Sequence, residues 1–120
     1  MPHNFTSFIG FYPTRDLQAT HDFYVRLLGL SLWRDQGTCH IYEVTGGGFI
    51  GFCLRPDVHI PLNVVLTLIT DDVDSVYARL VAEGVACEAA PKLNEEYGIY
   101  HFYAAGPSGE RVEVQRFEGK

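Results

Sequence analysis

Apolar residues fall along this chain in two rhythms, and the same order of rhythms occurs twice. Phe8 to Tyr12 is a short apolar run closed by Pro13, which suits a strand. Asp16 then offers a helix N-cap, because its carboxylate can accept from free backbone N–H groups. Leu17, Tyr24 and Leu28 follow at helical spacing, with Phe23 and Leu27 widening the stripe, and Gly29 is the stop. The second half repeats the pattern. Val64 to Ile69 is the strand, Asp71 and Asp72 offer the cap, Val73, Val76, Tyr77 and Leu80 form the stripe, and Gly84 ends it.

Three strand-like runs come after each helix. In the first half they are Leu30 to Asp35, Cys39 to Thr45 and Phe49 to Arg55; in the second, Ala86 to Ala90, Ile99 to Ala104 and Arg111 to Phe117. Gly46-Gly47-Gly48 reads as a hairpin turn, and Gly106-Pro107-Ser108-Gly109 as the turn before the last strand. The pattern predicts one α+β domain of two βαβββ modules, residues 1–57 and 58–120, forming a curved mixed sheet around a shared trough. Alternation sends every second side chain of the first, fourth, fifth and eighth strands into that trough. A concave surface of this kind suits a small organic ligand or a metal.

Composition narrows the partners. The 120 residues are 47% hydrophobic and 20% charged, enough to bury an ordinary core. The net charge is −6, from 15 acidic and 9 basic residues, with no Lys/Arg cluster, so nucleic acid is not an expected partner. No apolar run approaches the length of a membrane span, and the N-terminus has no secretory pattern, so a cytoplasmic protein is expected. Cys39, Cys53 and Cys87 are odd in number and form no CxxC pair. They read as reduced thiols, with Cys53 buried and inert, and the spacing offers no zinc site.

Three strings carry a resemblance to a known family. Asp16-Leu17 … Phe23-Tyr24 … Leu28-Gly29-Leu30 resembles the first helix of the vicinal-oxygen-chelate superfamily. Asp71-Asp72-Val73-Asp74 … Tyr77-Ala78-Arg79-Leu80 … Gly84-Val85 resembles its second helix. Gly106-Pro107-Ser108-Gly109-Glu110-Arg111-Val112-Glu113-Val114 resembles its closing turn and last strand. That superfamily includes glyoxalase I, extradiol dioxygenases, fosfomycin-resistance transferases and bleomycin-resistance proteins. The resemblance implies the glyoxalase/bleomycin-resistance-like fold, a homodimer, and, in the enzymes, a divalent metal held by residues of the first, fifth and eighth strands.

Carried onto this chain, those metal positions fall on Ile9, Val65 and Glu113. Two are aliphatic and offer no lone pair, and one carboxylate does not make a catalytic metal site. His59 and His3, the nearest imidazoles, sit on no clear strand. No cofactor is therefore expected, and a divalent metal enters only under an alternative reading with non-standard ligands.

The remaining candidates each have two readings. If Val112 and Val114 face a helix, Glu113 faces the trough with Arg111 and Gln115, either as a polar anchor for a ligand or as a remnant paired with a cation. His101 is a general base or a hydrogen-bonded sheet histidine. Trp33 beside Tyr42 lines an aromatic pocket, or packs in the sheet or dimer. Ile9, Phe11, Val65 and Thr67 complete the expected lining, from the first and fifth strands. The leading expectation is a metal-free protein of bleomycin-resistance type that binds a small organic molecule. Its rivals are a metal-dependent lyase or dioxygenase of the same superfamily and a non-catalytic dimerising module.

Overall fold

The computed structural model describes residues 4–119, so His3 lies outside the described residues. The chain divides into two compact units, one ending at Ile60 and the other beginning at Pro61. Each is a four-stranded mixed sheet with helix on one face.

The first unit runs β1 (Phe8–Thr14), α1 (Leu17–His21), a π-helical continuation (Asp22–Leu27), β2 (Ser31–Asp35), β3 (Cys39–Thr45) and β4 (Gly48–Leu54). Its strand order is β1-β4-β3-β2, with β1 parallel to β4 and the other pairs antiparallel. The Asp16 carboxylate caps α1 by accepting from Ala19 N at 3.0 Å. The two-residue turn Gly46-Gly47 joins β3 to β4, with Gly47 at φ +83°, a conformation that costs glycine nothing.

The helix departs from the expected stripe. Leu28 N donates to Phe23 O, an i→i+5 bond that marks the π turn. The wider turn shifts the helical register by one residue. The buried residues are therefore Thr20, Phe23, Tyr24 and Leu27, while Leu17 and Leu28 are only half-buried. Tyr24 packs against Phe52 with ring centroids 4.6 Å apart, and the Thr14 and Thr20 hydroxyls meet at 2.6 Å beneath the helix. A buried hydroxyl pair of this kind satisfies both groups without water.

The second unit runs β5 (Val65–Ile69), α2 (Val73–Ala82), β6 (Lys92–Asn94), β7 (Ile99–Ala105) and β8 (Arg111–Phe117), in the order β5-β8-β7-β6. Here the helical stripe holds: Val73 and Leu80 are fully buried, and Tyr77 meets Phe102 edge-on at 5.2 Å. Phe102 lies opposite Val114 and Ala104 opposite Val112, so these buried residues form the face under α2.

Ala86 to Ala90, expected as a strand, is not one. Ala86 O and Glu88 N bond the end of β7, and only an isolated bridge at Cys87 forms before the chain leaves the sheet. Pro91, which has no N–H to give, precedes the true sixth strand at Lys92–Asn94. In the closing turn, Gly109 N donates to Gly106 O at 2.9 Å, and the buried Glu110 carboxylate accepts from Ser108 N.

A second expectation is corrected by the disulfide between Cys39 and Cys53, residues read from the sequence as free thiols. The two lie directly opposite on β3 and β4. Leu54 N donates to Thr38 O, so the cysteines occupy the adjacent non-hydrogen-bonded position, where opposing side chains approach closest. Cys87 remains a free thiol, and burial raises its pKa above the ordinary value.

Candidate functional site

With Val112 and Val114 turned to α2, alternation turns Arg111, Glu113 and Gln115 of β8 to the other face. Register adds Val65 and Thr67 from β5 and His101 and Tyr103 from β7 to that face. Six of the expected residues, Val65, Thr67, His101, Arg111, Glu113 and Gln115, are thus brought together on one surface of the second unit.

Its centre is a buried polar cluster. Thr67 Oγ1 donates to Glu113 Oε1 at 2.8 Å, and His101 Nδ1 lies 2.7 Å from Glu113 Oε2. His101 and Glu113 are each 6% exposed. An ionised carboxylate only accepts, so Nδ1 is the imidazole nitrogen that carries hydrogen, and in the neutral ring Nε2 keeps its lone pair. Among the described residues Nε2 makes no hydrogen bond and no buried side-chain nitrogen or oxygen is without a partner, so Nε2 keeps some access to solvent. By the same reasoning the Gln115 amide is open to an incoming group.

Beside this cluster Arg111 pairs with Glu88 through two 2.8 Å hydrogen bonds and lies over the Tyr103 ring at 3.7 Å. The guanidinium holds Glu88 below the usual carboxylate range. Burial, with the Glu113 charge adding to it, raises the Tyr103 phenol, which therefore stays neutral and able to donate. A cavity of about 530 Å³ opens on the surface, lined by Asn94, Tyr97, Ile99, His101, Tyr103, Glu113, Gln115 and Phe117. Five of these, Asn94, Tyr97, Ile99, Tyr103 and Phe117, were not singled out from the sequence. Tyr103 was within reach, since it alternates with His101; Tyr97 and Asn94 sit at a turn whose position alternation does not specify. A separate cavity near Leu62, Ala86 and Cys87 is lined by the Arg111–Glu88 pair and Glu110 rather than by the Glu113 cluster.

The first-unit candidates divide between two faces. Ile9 pairs with Phe49, and Trp33 packs on Phe49 at 4.6 Å between centroids, so these share the face away from the helix. Phe11 lies there too, its ring over Gly51; a Cβ at Gly51 would sit 2.5 Å from it. Tyr42 is a correction. It is fully buried on the helix side, packs near Tyr24 and Phe52, and meets His21 Nδ1 at 3.0 Å, so it lines no pocket with Trp33. Alternation accounts for the separation: Leu32, not Trp33, lies opposite Tyr42, so Trp33 is on the other face of β2. Burial, with a lesser contribution from the Asp35 charge, pushes the Tyr42 hydroxyl up to about 12.

Two βαβββ units with a mixed sheet each, a helix under each sheet and a glutamate at the centre of the last strand form the arrangement on which identity turns. The sequence profile of the Glyoxalase/Bleomycin resistance protein/Dioxygenase superfamily matches residues 6–114. The chain belongs to that superfamily. No curated protein matches the sequence. Among solved structures, an integron cassette protein from the mobile metagenome of the Halifax Harbour sewage outfall is similar, with TM-score 0.80 and 17% identity over 92% of this chain and 97% of that one. A glyoxalase/bleomycin resistance protein/dioxygenase from Nocardioides gives 0.71 and 20%, over 99% and 87%. A possible glyoxalase from Bacillus cereus gives 0.75 and 22%, over 88% and 94%. At these identities the likeness establishes the fold alone.

The residues present do not fit the divalent metal that superfamily enzymes carry. Ile9 and Val65 have no donor atom, and both Glu113 oxygens are engaged, one by Thr67 and one by His101. Among the described residues, no three His, Cys, Asp or Glu side chains converge as ligands.

Proposed function

We propose that this superfamily member binds a small organic molecule on the open face of its second sheet and does so without a metal. The observation that carries the reading is Glu113 held between Thr67 and His101 at the wall of a cavity of about 530 Å³. That volume is in the range of small-molecule sites. Both carboxylate oxygens are engaged by hydrogen bonds rather than left for a cation. His101 Nε2 and the Gln115 amide supply the directional contacts, and Ile99, Tyr97 and Phe117 supply apolar area. We also propose that the chain pairs with a second copy, because β1 is an edge strand with Phe8 and Phe11 exposed. Sedimentation at micromolar concentration then gives twice 13.5 kDa, and a 13.5 kDa species alone refutes the pairing.

The test of binding is a thermal-shift panel in excess EDTA, containing bleomycin, aromatic alcohols, aromatic acids and small amides. At least one compound raises the melting temperature of the wild type, and Gln115→Ala reduces that shift. A ligand at one hundred times its Kd stabilises by about 2.7 kcal/mol, which a melt resolves. Stoichiometric metal in the purified protein, or no shift from any compound, defeats the proposal.

A further inference from the structure

Two cavities of the second unit adjoin across His101 and Tyr103, which line both. The larger, of about 530 Å³, has the Glu113 cluster at its wall. The smaller, of about 290 Å³, is completed by Ala89, Ala90, Lys92 and the Glu88–Arg111 pair. Lys92 lies directly opposite His101 on β6, so it shares the face that carries the cluster. It is unlike the other cations. Among the described residues every arginine has a partner, whereas the Lys92 ammonium has no hydrogen bond or ion pair. In a chain with 15 acidic and 9 basic residues, a cation left unpaired beside a cavity is a positive charge open to a ligand. The backbone N–H groups of Ala89 and Ala90 likewise have no acceptor among the described residues. The acid on that wall is committed, since both Glu88 oxygens take hydrogens from Arg111. The uncommitted charge on the smaller cavity is therefore positive.

The larger cavity has the opposite character. Tyr97 and Phe117 line it at 65% and 63% exposure, and Ile99 stands opposite Phe117 in the sheet. The register sets these groups in rows. Asn94, Ile99 and Phe117 form one row; Lys92, His101 and Gln115 form the next; Tyr103 and Glu113 lie in the row beyond. A path from Lys92 to Phe117 therefore leads away from the Glu113 carboxylate. Lys92 and Glu113 stand two strands and one row apart, about 12 Å between backbones at about 4.8 Å per strand and 3.4 Å per residue. That exceeds the screening length of about 8 Å at physiological ionic strength, so Glu113 does not cancel the charge of Lys92. We infer that the site takes a carboxylic acid with an apolar body, its carboxylate paired with Lys92 in the smaller cavity and its body crossing His101 to cover Tyr97 and Phe117 in the larger. The inference rests on the binding reading and names the ligand class. Covering the exposed rings supplies affinity, and the ion pair supplies the preference for an acid. The association is non-covalent: no proton moves and no bond forms or breaks.

The probes are 4-phenylbutyrate and 4-phenylbutanamide, the same ring and chain with and without the negative charge. Isothermal titration of the wild type in EDTA at low salt gives one 4-phenylbutyrate per chain. 4-Phenylbutanamide binds about fivefold more weakly, the loss of one solvent-accessible ion pair. Lys92→Met keeps the apolar stem and removes the charge. It lowers the affinity for the acid to that for the amide and leaves the amide unchanged, while Lys92→Arg retains the preference. Lys92 is exposed on the edge strand β6, so both variants keep the fold. Phe117→Ala weakens both probes by the same factor, because it removes apolar area that the two share. Equal affinity of the wild type for both probes, a preference for the acid that survives Lys92→Met, or a Phe117→Ala variant that binds both as tightly as the wild type overturns the inference. If the amide or another compound of the thermal-shift panel binds and 4-phenylbutyrate does not, the inference falls and the binding reading stands. If nothing binds, both fall.

Discussion

Replacing Glu113 by leucine isolates what the buried cluster contributes. The side chain is of similar size, so the change removes two accepted hydrogen bonds with little change of volume. Thr67 is exposed and can turn its hydroxyl to water, so the loss concentrates on His101, which is almost wholly buried. Nδ1 then faces an apolar group whichever tautomer the ring adopts. One orphaned buried polar atom costs about 1–3 kcal/mol. Removing the carboxylate also removes its own desolvation cost, so the net destabilisation settles at about 2 kcal/mol. Glu113→Gln, which keeps an acceptor and a donor in the same place, costs about 1 kcal/mol or less. The double variant Glu113→Leu plus His101→Leu abolishes the orphan, so it is less destabilised than the sum of its single changes by about 1–2 kcal/mol. Urea denaturation followed by far-UV circular dichroism gives all four free energies, provided the slope with denaturant is unchanged. Additivity within about 0.5 kcal/mol would show that the two side chains are not coupled in solution, and the proposed site would lose its centre.

Three further outcomes follow from the fold. Native protein under non-reducing conditions exposes at most one thiol, Cys87, on unfolding, and three after reduction; the paired Cys39→Ser and Cys53→Ser change costs about 3 kcal/mol for a loop of this length, and three thiols without reductant would contradict the bridge. Leu27→Ala costs about 3 kcal/mol in chemical denaturation and Leu28→Ala about 1, because the π turn buries the former and only half-buries the latter; the reverse order would restore a regular α-helix. Tyr42 ionises near pH 12 while an unfolded tyrosine ionises near 10, so its contribution to stability is complete below pH 10 and is lost as pH rises towards 12; absorbance at alkaline pH showing all seven tyrosines titrating together near 10 in folded protein would refute its burial.

The order of elements was legible from local signals because each is written within a few residues of itself. The caps at Asp16 and Asp72, the stops at Gly29 and Gly84, and the alternation of Val112 and Val114 are nearest-neighbour matters of backbone geometry and side-chain period. Alternation along β8 was also enough to put Arg111, Glu113 and Gln115 on one face, because a strand's side chains have a period of two whatever lies beside it. Other features depended on a partner distant in sequence. That Thr67 and His101 close on Glu113 depends on the pairing of β5 and β7 with β8, which brings together residues 46 and 12 positions from the carboxylate. Cys39 met Cys53 only because the hairpin register puts them at a non-hydrogen-bonded position. Tyr42 lies outside the expected pocket because the β2–β3 register sets Leu32, not Trp33, opposite it, and the helix register slipped at a single i→i+5 bond. A strand's own sequence sets which side chains share a face; register, bulges and π turns set which faces meet, and these are decided by packing between segments that local sequence does not connect.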